Sequence, residues 1–249
     1  MKRMVMIGAL TVLTVWLAGC GSSGGSIAQA SDAEGLWKDG SGDAVGMVTA
    51  MGITTIVTGL TSDVTAAPMY KGNVVTNSTT VTGGTLTELT TGGVSTAYNV
   101  TGSTVNAKHS LVIVGEAGAA DTVTFNFVYD SSYDRASSLG YLTGLWGTDA
   151  TTTMDIDDSG TVTGGYDAST ECNVTGKFAL INEAKNLYSV SLTMHNCKTY
   201  AEGSSFSGYA TLSDADGGTL NSMLLAAGGT VGTATQVPFA RVMGKAMTP

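Results

Sequence analysis

Gly35-Leu36-Trp37 and Gly144-Leu145-Trp146 are two copies of one tripeptide, 109 residues apart. About fifteen residues after each copy comes a glycine with a run of alternating side chains, Gly52-Ile53-Thr54-Thr55-Ile56-Val57-Thr58 in the first case and Gly160-Thr161-Val162-Thr163-Gly164 in the second. Alternation with a period of two is typical of β-strands. Because the units of solenoid proteins are much shorter than 109 residues, the repeat indicates two copies of one small β-domain.

The second copy contains three hairpin patterns in succession. Their turns are Asp157-Asp158-Ser159-Gly160, Asn182-Glu183-Ala184-Lys185-Asn186 and Ser213-Asp214-Ala215-Asp216-Gly217-Gly218. Seven or eight short antiparallel strands in about a hundred residues must close or fold on themselves to hide their edges. We therefore predict an all-β protein with two tandem small antiparallel up-and-down β-barrels or sandwiches.

The repeat also predicts the domain boundaries. Residues 35–130 form the N-terminal β-domain and residues 144–249 the C-terminal β-domain. Residues 131–143 form a linker, and the spacing of Ala136, Leu139 and Tyr141 predicts one or two helical turns there. Before the first domain we assign residues 1–19 to a signal peptide and residues 20–34 to a Gly/Ser tether.

The N-terminus has the pattern of an export signal. Lys2 and Arg3 precede a short apolar run that ends in Leu17-Ala18-Gly19-Cys20. This ending resembles the lipobox of bacterial lipoproteins, which implies cleavage before Cys20 and acylation of that residue with diacylglycerol and a further chain such as palmitate. Because Gly21 replaces the Asp that favours inner-membrane retention, the resemblance implies an outer-membrane lipoprotein on the periplasmic face or the cell surface. An ordinary secretory signal that happens to hold a cysteine is the alternative.

The Gly-x-Trp opening resembles the calycin superfamily, which includes lipocalins and avidins. In calycins a Trp on the first strand packs under a basic side chain from the last strand. The resemblance implies that Arg241 covers Trp146, and only Arg135 is placed to cover Trp37. The chain as a whole also resembles uncharacterised proteobacterial lipoproteins in which Gly-Leu-Trp opens each half. Two core tryptophans in β-sandwiches without calycin ancestry are the alternative.

Cys172 and Cys197 are the remaining cysteines. If the turn at residues 182–186 sets the register so that Ile181 faces Leu187, then Cys172 lies opposite Asn196, one residue from Cys197. A disulfide at the open end of this hairpin is therefore predicted, and an exported protein can form one. The alternative, a redox or metal-binding pair, has no CxxC spacing and no histidine cluster in its support.

Composition and motifs exclude several classes of function. A formal net charge of -9 removes the electrostatic basis for binding nucleic acid. The stretch Asp155-x-Asp157-x-Ser159-Gly160 resembles the start of a calcium loop, but Tyr166 stands where the bidentate Glu belongs, so a hairpin turn is favoured. The Gly-x-Ser-x-Gly pattern occurs in Gly21-Ser22-Ser23-Gly24-Gly25, inside the Gly/Ser tether, where the strand-turn-helix of a nucleophile elbow is not expected. We predict no catalytic residue, no metal site and no cofactor.

Three functions remain open at this stage. The first is a non-enzymatic, membrane-anchored lipoprotein whose β-domains bind a macromolecular partner, either an envelope component or a host protein. The second is a lipocalin-like carrier of a small ligand in an apolar barrel interior. The third is an inhibitor of a secreted protease or lysozyme, with the segment 61–73 (TSDVTAAPMYKGN) as its contact loop.

Overall fold

The computed structural model describes residues 31–93, 95–148, 152–214, 220–231 and 235–246, and within them two antiparallel β-barrels of eight strands each are closed. The prediction of an all-β protein with two tandem barrels is confirmed. Barrel 1 consists of β1 (Gly35–Asp39), β2 (Val45–Val48), β3 (Ile53–Val57), β4 (Met69–Asn77), β5 (Thr80–Leu89), β6 (Ser95–Asn106), β7 (Ser110–Ala117) and β8 (Asp121–Tyr129). Barrel 2 consists of β9 (Gly144–Thr148), β10 (Thr152–Ile156), β11 (Thr161–Asp167), β12 (Cys172–Leu180), β13 (Tyr188–His195), β14 (Ser204–Ser213), β15 (Ser222–Val231) and β16 (Thr235–Lys245).

Each barrel follows up-and-down order, in which every strand pairs with the next and the last returns to the first. The closing pair in barrel 1 joins Trp37 on β1 to Tyr129 on β8. In barrel 2 it joins Trp146 on β9 to Lys245 on β16, and only one further pair of described residues supports that seam. The repeated tryptophans therefore lie at the same place in both barrels, on the seam.

The register of the β12–β13 hairpin follows the turn, as the sequence predicts. Asn173 pairs with His195 at one end of the ladder and Leu180 pairs with Tyr188 at the other. The inward-facing side chains of these two strands, which include Phe178 and Leu192, are buried in the core of barrel 2.

A tight turn before the third strand of each barrel requires glycine. Gly52 and Gly160 have φ angles of 76° and 80°, in the left-handed region that favours glycine. A Cβ atom would lie 2.2 Å from the carbonyl oxygen of Val74 at Gly52, and 2.5 Å from that of Phe178 at Gly160. The glycine shared by the two copies is thus fixed by backbone conformation and by close approach of a neighbouring strand.

The segment between the barrels is packed onto them. It contains a 3-10 turn (Ser131–Asp134) and one turn of helix, α1 (Leu139–Leu142), which agrees with the helical turns predicted there. Tyr133 and Leu142 are buried, and Leu142 belongs to the core of barrel 2.

The two barrels share a third apolar core that the sequence reading missed. It is built from outward-facing side chains of both barrels together with the buried Tyr133 of the connecting segment, and its fully buried members are Leu36, Val45, Met47, Val57, Met69, Leu89, Tyr133, Leu187, Ala226 and Ala240. Around it, Lys71 donates to the carbonyl oxygen of Ser207 and Arg135 pairs with Asp214. The barrels therefore form one packed unit.

Candidate functional site

The seam tryptophans are buried structural residues. Trp37 and Trp146 are both 0% exposed. The indole Nε1 of Trp37 donates to the carbonyl oxygen of Ala33 at 2.8 Å, and that of Trp146 donates to the carbonyl oxygen of Leu142 at 2.6 Å. In both barrels the acceptor lies four residues before the Trp, in the segment that crosses the end of the barrel. Each indole is thus held at one end of its own core with its polar atom satisfied.

The side chain that covers Trp146 is not the one expected from the sequence. Lys245 lies over the indole, with Nζ 5.4 Å from the ring centroid, whereas Arg241 lies over Phe239. Both cations belong to the inward face of β16, but four residues of strand separate them by about 13 Å, and it is Lys245 that pairs with Trp146. The assignment of Arg241 to Trp146 is therefore wrong.

Barrel 1 has no cation over its tryptophan among the described residues. Tyr129 occupies the equivalent of Lys245 and meets the Trp37 ring edge-on, with centroids 5.3 Å apart. Arg135, the residue expected to cover Trp37, instead bonds the carboxylate of Asp214 in barrel 2 at 3.1 Å. That expectation is also wrong, because Arg135 bridges the barrels.

Arg241 forms a buried ion pair inside barrel 2. Its guanidinium donates to both carboxylate oxygens of Asp167 at 2.8–2.9 Å and to the hydroxyl of Ser169 at 2.6 Å. Asp167 is 0% exposed and also accepts from Thr152 and Thr170. Burial by itself raises the pKa of Asp167, but the charge of Arg241 and these hydroxyl donors outweigh it and hold the pKa below its usual value. Both carboxylate oxygens of Asp167 accept hydrogen bonds from Arg241 and from neighbouring hydroxyl groups, so the cluster fits a structural role.

The predicted disulfide is confirmed. Cys172 and Cys197 are bonded, with their Cα atoms 4.1 Å apart. The bridge ties the loop after β13 to the start of β12, and Thr199 in that loop donates to the carbonyl oxygen of Thr170. This loop covers the end of barrel 2 opposite Trp146, since Cys197 and Tyr200 pack against the barrel core.

The end of barrel 1 that lies opposite Trp37 carries two carboxylates among aromatic rings. The hydroxyl of Tyr98 lies 3.2 Å from both Glu88 and Asp121, and the hydroxyl of Tyr70 lies 3.4 Å from Glu88. Burial, together with the charges of the two carboxylates, raises the pKa of Tyr98 to about 12. The ring of Phe125 contacts Tyr70 edge-on. Tyr98 therefore stays protonated at neutral pH and serves as a hydrogen-bond donor.

The calcium-like stretch forms a hairpin turn. Oδ1 of Asp157 accepts from the backbone nitrogens of Ser159 and Thr161, and the Ser159 hydroxyl donates to the same atom. The hydroxyl of Ser159 and the amide of Thr161 lower the pKa of Asp157. Within the described residues, no group of three or more His, Cys, Asp or Glu side chains is placed to hold a metal ion.

An open groove of about 310 Å³ runs along the junction of the barrels. The floor is aliphatic and the rim carries hydroxyl groups and the ammonium of Lys38, which pairs with Asp130. Most of its lining comes from β1 and β2 of barrel 1 and from β14, β15 and β16 of barrel 2: Leu36, Lys38, Gly42, Val45, Leu60, Thr211, Leu212, Ser213, Ser222, Leu224 and Val242. Val242 is 42% exposed at this groove. Sequence reasoning missed it because the two walls come from different barrels.

The proposed inhibitory loop is only partly at the surface. Residues 61–63 are exposed, but Met69 and Tyr70 are buried in β4. Thr58 donates to the carbonyl oxygen of Pro68 across the base of the loop. Met69 and Tyr70 therefore do not protrude from this segment to contact an enzyme.

Comparison with protein-family models, with curated proteins and with solved structures finds no match to this chain. Cys20, the signal peptide at residues 1–19 and most of the tether lie outside the described residues. No helix within the described part of the chain is long and apolar enough to cross a membrane. The inter-barrel groove is the candidate site for binding.

Proposed function

We propose that this protein is a non-enzymatic outer-membrane lipoprotein, anchored through acylated Cys20, whose paired barrels bind another protein of the cell envelope. The observation that carries the proposal is the filled interior of barrel 2. Its inward face is made of bulky, fully buried side chains such as Phe178, Tyr188 and Phe206. Barrels of eight strands are often just filled by side chains, so binding falls to the outer surface.

The inter-barrel groove is the place where we expect the partner to dock. Its aliphatic floor suits one inserted aliphatic side chain of the partner, and its hydroxyl rim suits the polar groups around that side chain. The third core fixes both walls relative to each other, which lowers the entropic cost of binding because the groove is formed in advance. In barrel 2, a basic side chain of the last strand, Lys245, lies over the seam tryptophan, which further supports a calycin relationship.

The test is affinity capture from envelope extracts with soluble protein that lacks residues 1–20. Val242→Arg places a charge in the groove and is expected to abolish capture. Ile181→Arg is the matched control, because Ile181 is 44% exposed, close to the 42% of Val242, and is not part of the groove lining. Equal capture by both variants would contradict docking in the groove.

A small apolar ligand in the same groove is the second candidate. The groove volume of about 310 Å³ is at the lower end of the range for small-molecule sites, roughly 300–1,000 Å³. Native mass spectrometry of protein purified from envelopes distinguishes the two. A bound small molecule that disappears in Val242→Arg supports the carrier function, and its absence in the wild type contradicts it.

The anchor is tested separately. Cells given a clickable palmitate analogue should label the wild type and leave Cys20→Ala unlabelled, since the lipobox cysteine is the proposed acceptor. Equal labelling of the two would show that the acyl group, if present, is attached elsewhere.

A further inference from the structure

The end of barrel 1 where the described chain begins carries an exposed apolar patch. Met51 is 76% exposed, Val75 50% and Ile53 41%. In the β3–β4 ladder Ile53 pairs with Asn73, and Val75 lies two residues further along β4. The backbone nitrogen of Val74 donates to the carbonyl oxygen of Gly52, which brings the turn that holds Met51 beside this part of β4. Isolated exposed apolar residues are ordinary, but neighbouring ones at one edge mark a contact surface.

The chain enters barrel 1 beside this patch. The backbone nitrogen of Ser31 donates to the carbonyl oxygen of Ala50, and that of Asp32 donates to the hydroxyl of Thr76. Ala50 immediately precedes Met51 in the turn before β3, and Thr76 immediately follows Val75 in β4. The described chain therefore begins next to the patch.

The surroundings of the patch have little charge, although the protein is acidic. Residues 44–62 and residues 72–87 contain no Asp, Glu, Lys or Arg. Desolvating a charge at a lipid surface is costly, and acidic side chains are repelled by anionic headgroups. A neutral, apolar edge avoids the first cost, and the acidic side chains at the point of chain entry are Asp32 and Glu34.

Barrel 2 provides a comparison at the same structural positions. Gly160 accepts from Phe178 as Gly52 accepts from Val74. The alignment of these turns places Ser159, Thr161 and Ala179 where barrel 1 has Met51, Ile53 and Val75. The fold thus tolerates small or hydroxylated residues at these positions, and it does not require the apolar side chains of barrel 1.

From this placement we infer that Met51, Ile53 and Val75 form a membrane-contact surface that seats barrel 1 on the lipid bilayer, with the tether rooted at its edge. The inference rests on the proposed lipid anchor at Cys20. Eleven positions separate Cys20 from Ser31, and a Gly/Ser-type chain of that length spans roughly 20 Å on average. That span keeps the patch within reach of the bilayer, where apolar side chains enter the boundary between headgroups and acyl chains.

The experiment uses the full lipidated protein on phosphatidylcholine vesicles, with a fluorophore attached at Met51→Cys or, as the matched control in barrel 2, at Ser159→Cys. Spin-labelled lipids in the bilayer are the quencher. We expect quenching at position 51 to exceed that at position 159 several-fold. Comparable quenching at both positions, or none at either, would overturn the membrane contact.

A second variant tests the side chains themselves. The triple substitution Met51→Ser, Ile53→Thr and Val75→Ala installs the barrel 2 residues, and a fluorophore at Ala50→Cys reports on the same edge. We expect quenching at position 50 to be strong with the wild-type patch and to be lost in the triple variant, while flotation with vesicles is retained. Unchanged quenching in the triple variant would refute the role of these side chains.

Flotation separates this inference from the proposed function. If the wild-type protein floats with vesicles but position 51 is not quenched, the anchor stands and the contact surface is refuted. If the wild-type protein fails to float, the anchor is refuted and the contact surface falls with it.

Discussion

The two barrels make the same turn before their third strand and place different side chains on it. In barrel 1 the hydroxyl of Thr49 accepts from the amide of Ile53, and in barrel 2 a carboxylate oxygen of Asp157 accepts from the amide of Thr161. Three residues later both turns have a glycine with a positive φ angle, Gly52 in barrel 1 and Gly160 in barrel 2. The backbone contacts of the repeat have thus been kept while its surface has diverged, to an apolar edge in one barrel and a polar one in the other.

The seam shows the same division between shared and separate features. The indole of each tryptophan bonds a carbonyl four residues earlier, but the last strand supplies Tyr129 in barrel 1 and Lys245 in barrel 2. A disulfide and the Arg241–Asp167 pair are described for barrel 2. The seam tryptophan and its bond to a carbonyl four residues earlier are therefore common to both copies, whereas its partner on the last strand and the residues that fill the far end differ.

The largest effect is expected from removing a seam tryptophan. Trp37→Ala and Trp146→Ala should each lower the free energy of unfolding by about 3–5 kcal/mol, because each empties a fully buried site. Since the third core joins the barrels, both variants should shift one common unfolding transition in calorimetry. A barrel that melts alone while the other stays folded would show that the third core does not couple them.

The two cations of β16 should differ sharply in how much each contributes to the free energy of unfolding. Arg241→Ala leaves the carboxylate of Asp167 buried without its partner, and breaking such a pair costs about 3–5 kcal/mol. Lys245→Ala removes a cation over an aromatic ring, worth about 0.5–1 kcal/mol at a partly exposed site. Denaturant unfolding of both variants measures the difference, and equal losses would contradict the assignment.

The pH dependence gives a further check on this pair. The pKa of Asp167 is lowered in the folded protein, so its stabilising contribution is present above the unfolded pKa of about 3.9 and is lost as the pH falls through the lower folded value. Asp167→Asn should flatten the acid limb of stability against pH. An unchanged acid limb would show that other carboxylates dominate it.

The disulfide should contribute slightly less to the free energy of unfolding than a seam tryptophan or the Arg241–Asp167 pair. The double variant Cys172→Ser and Cys197→Ser opens a loop of 25 residues, for which the loop-entropy relation gives about 3.5 kcal/mol. Unfolding measured against the wild type tests the magnitude. Peptide mapping without reductant should join the two cysteine peptides, and free thiols at both positions in oxidised, folded protein would refute the bond.

Overpacking at the contact between the barrels should lower the free energy of unfolding by less than the loss of the disulfide. A Cβ atom at Gly228 would lie 2.7 Å from side-chain atoms of both Leu89 and Lys71, so Gly228→Val should overpack the third core and cost about 1–3 kcal/mol. Gly164→Val is the control, because a Cβ atom there meets nothing within 4 Å. Thermal unfolding that ranks the control as the more destabilised variant would contradict close packing at Gly228.

Local features of this fold could be predicted from the sequence, because neighbours along the chain determine them. The hairpin turn sets the register of β12 and β13 and brings Cys172 to Cys197. The partner of Trp146 could not be predicted, since Arg241 and Lys245 share one face of β16 and only long-range pairing with β9 decides between them.

The third core was missed for a related reason. Apolar and polar residues alternate along a strand only when one face of the strand packs on the core and the other is exposed to solvent. Val45, Gly46, Met47 and Val48 are all buried, because β2 packs inward on barrel 1 and outward on barrel 2. The unbroken Val-Gly-Met-Val run was the signal in the sequence that could have identified this contact.

The short seams have a consequence for the rate of folding. The residues that close each barrel, Trp37 with Tyr129 and Trp146 with Lys245, lie more than ninety positions apart in the chain. Contacts of such high sequence separation form slowly, because the loop entropy must be lost before they contribute. Until Lys245 reaches Trp146, the inner face of barrel 2 stays open along its first and last strands. We therefore expect a folding chain to be most prone to aggregation before its seams have closed.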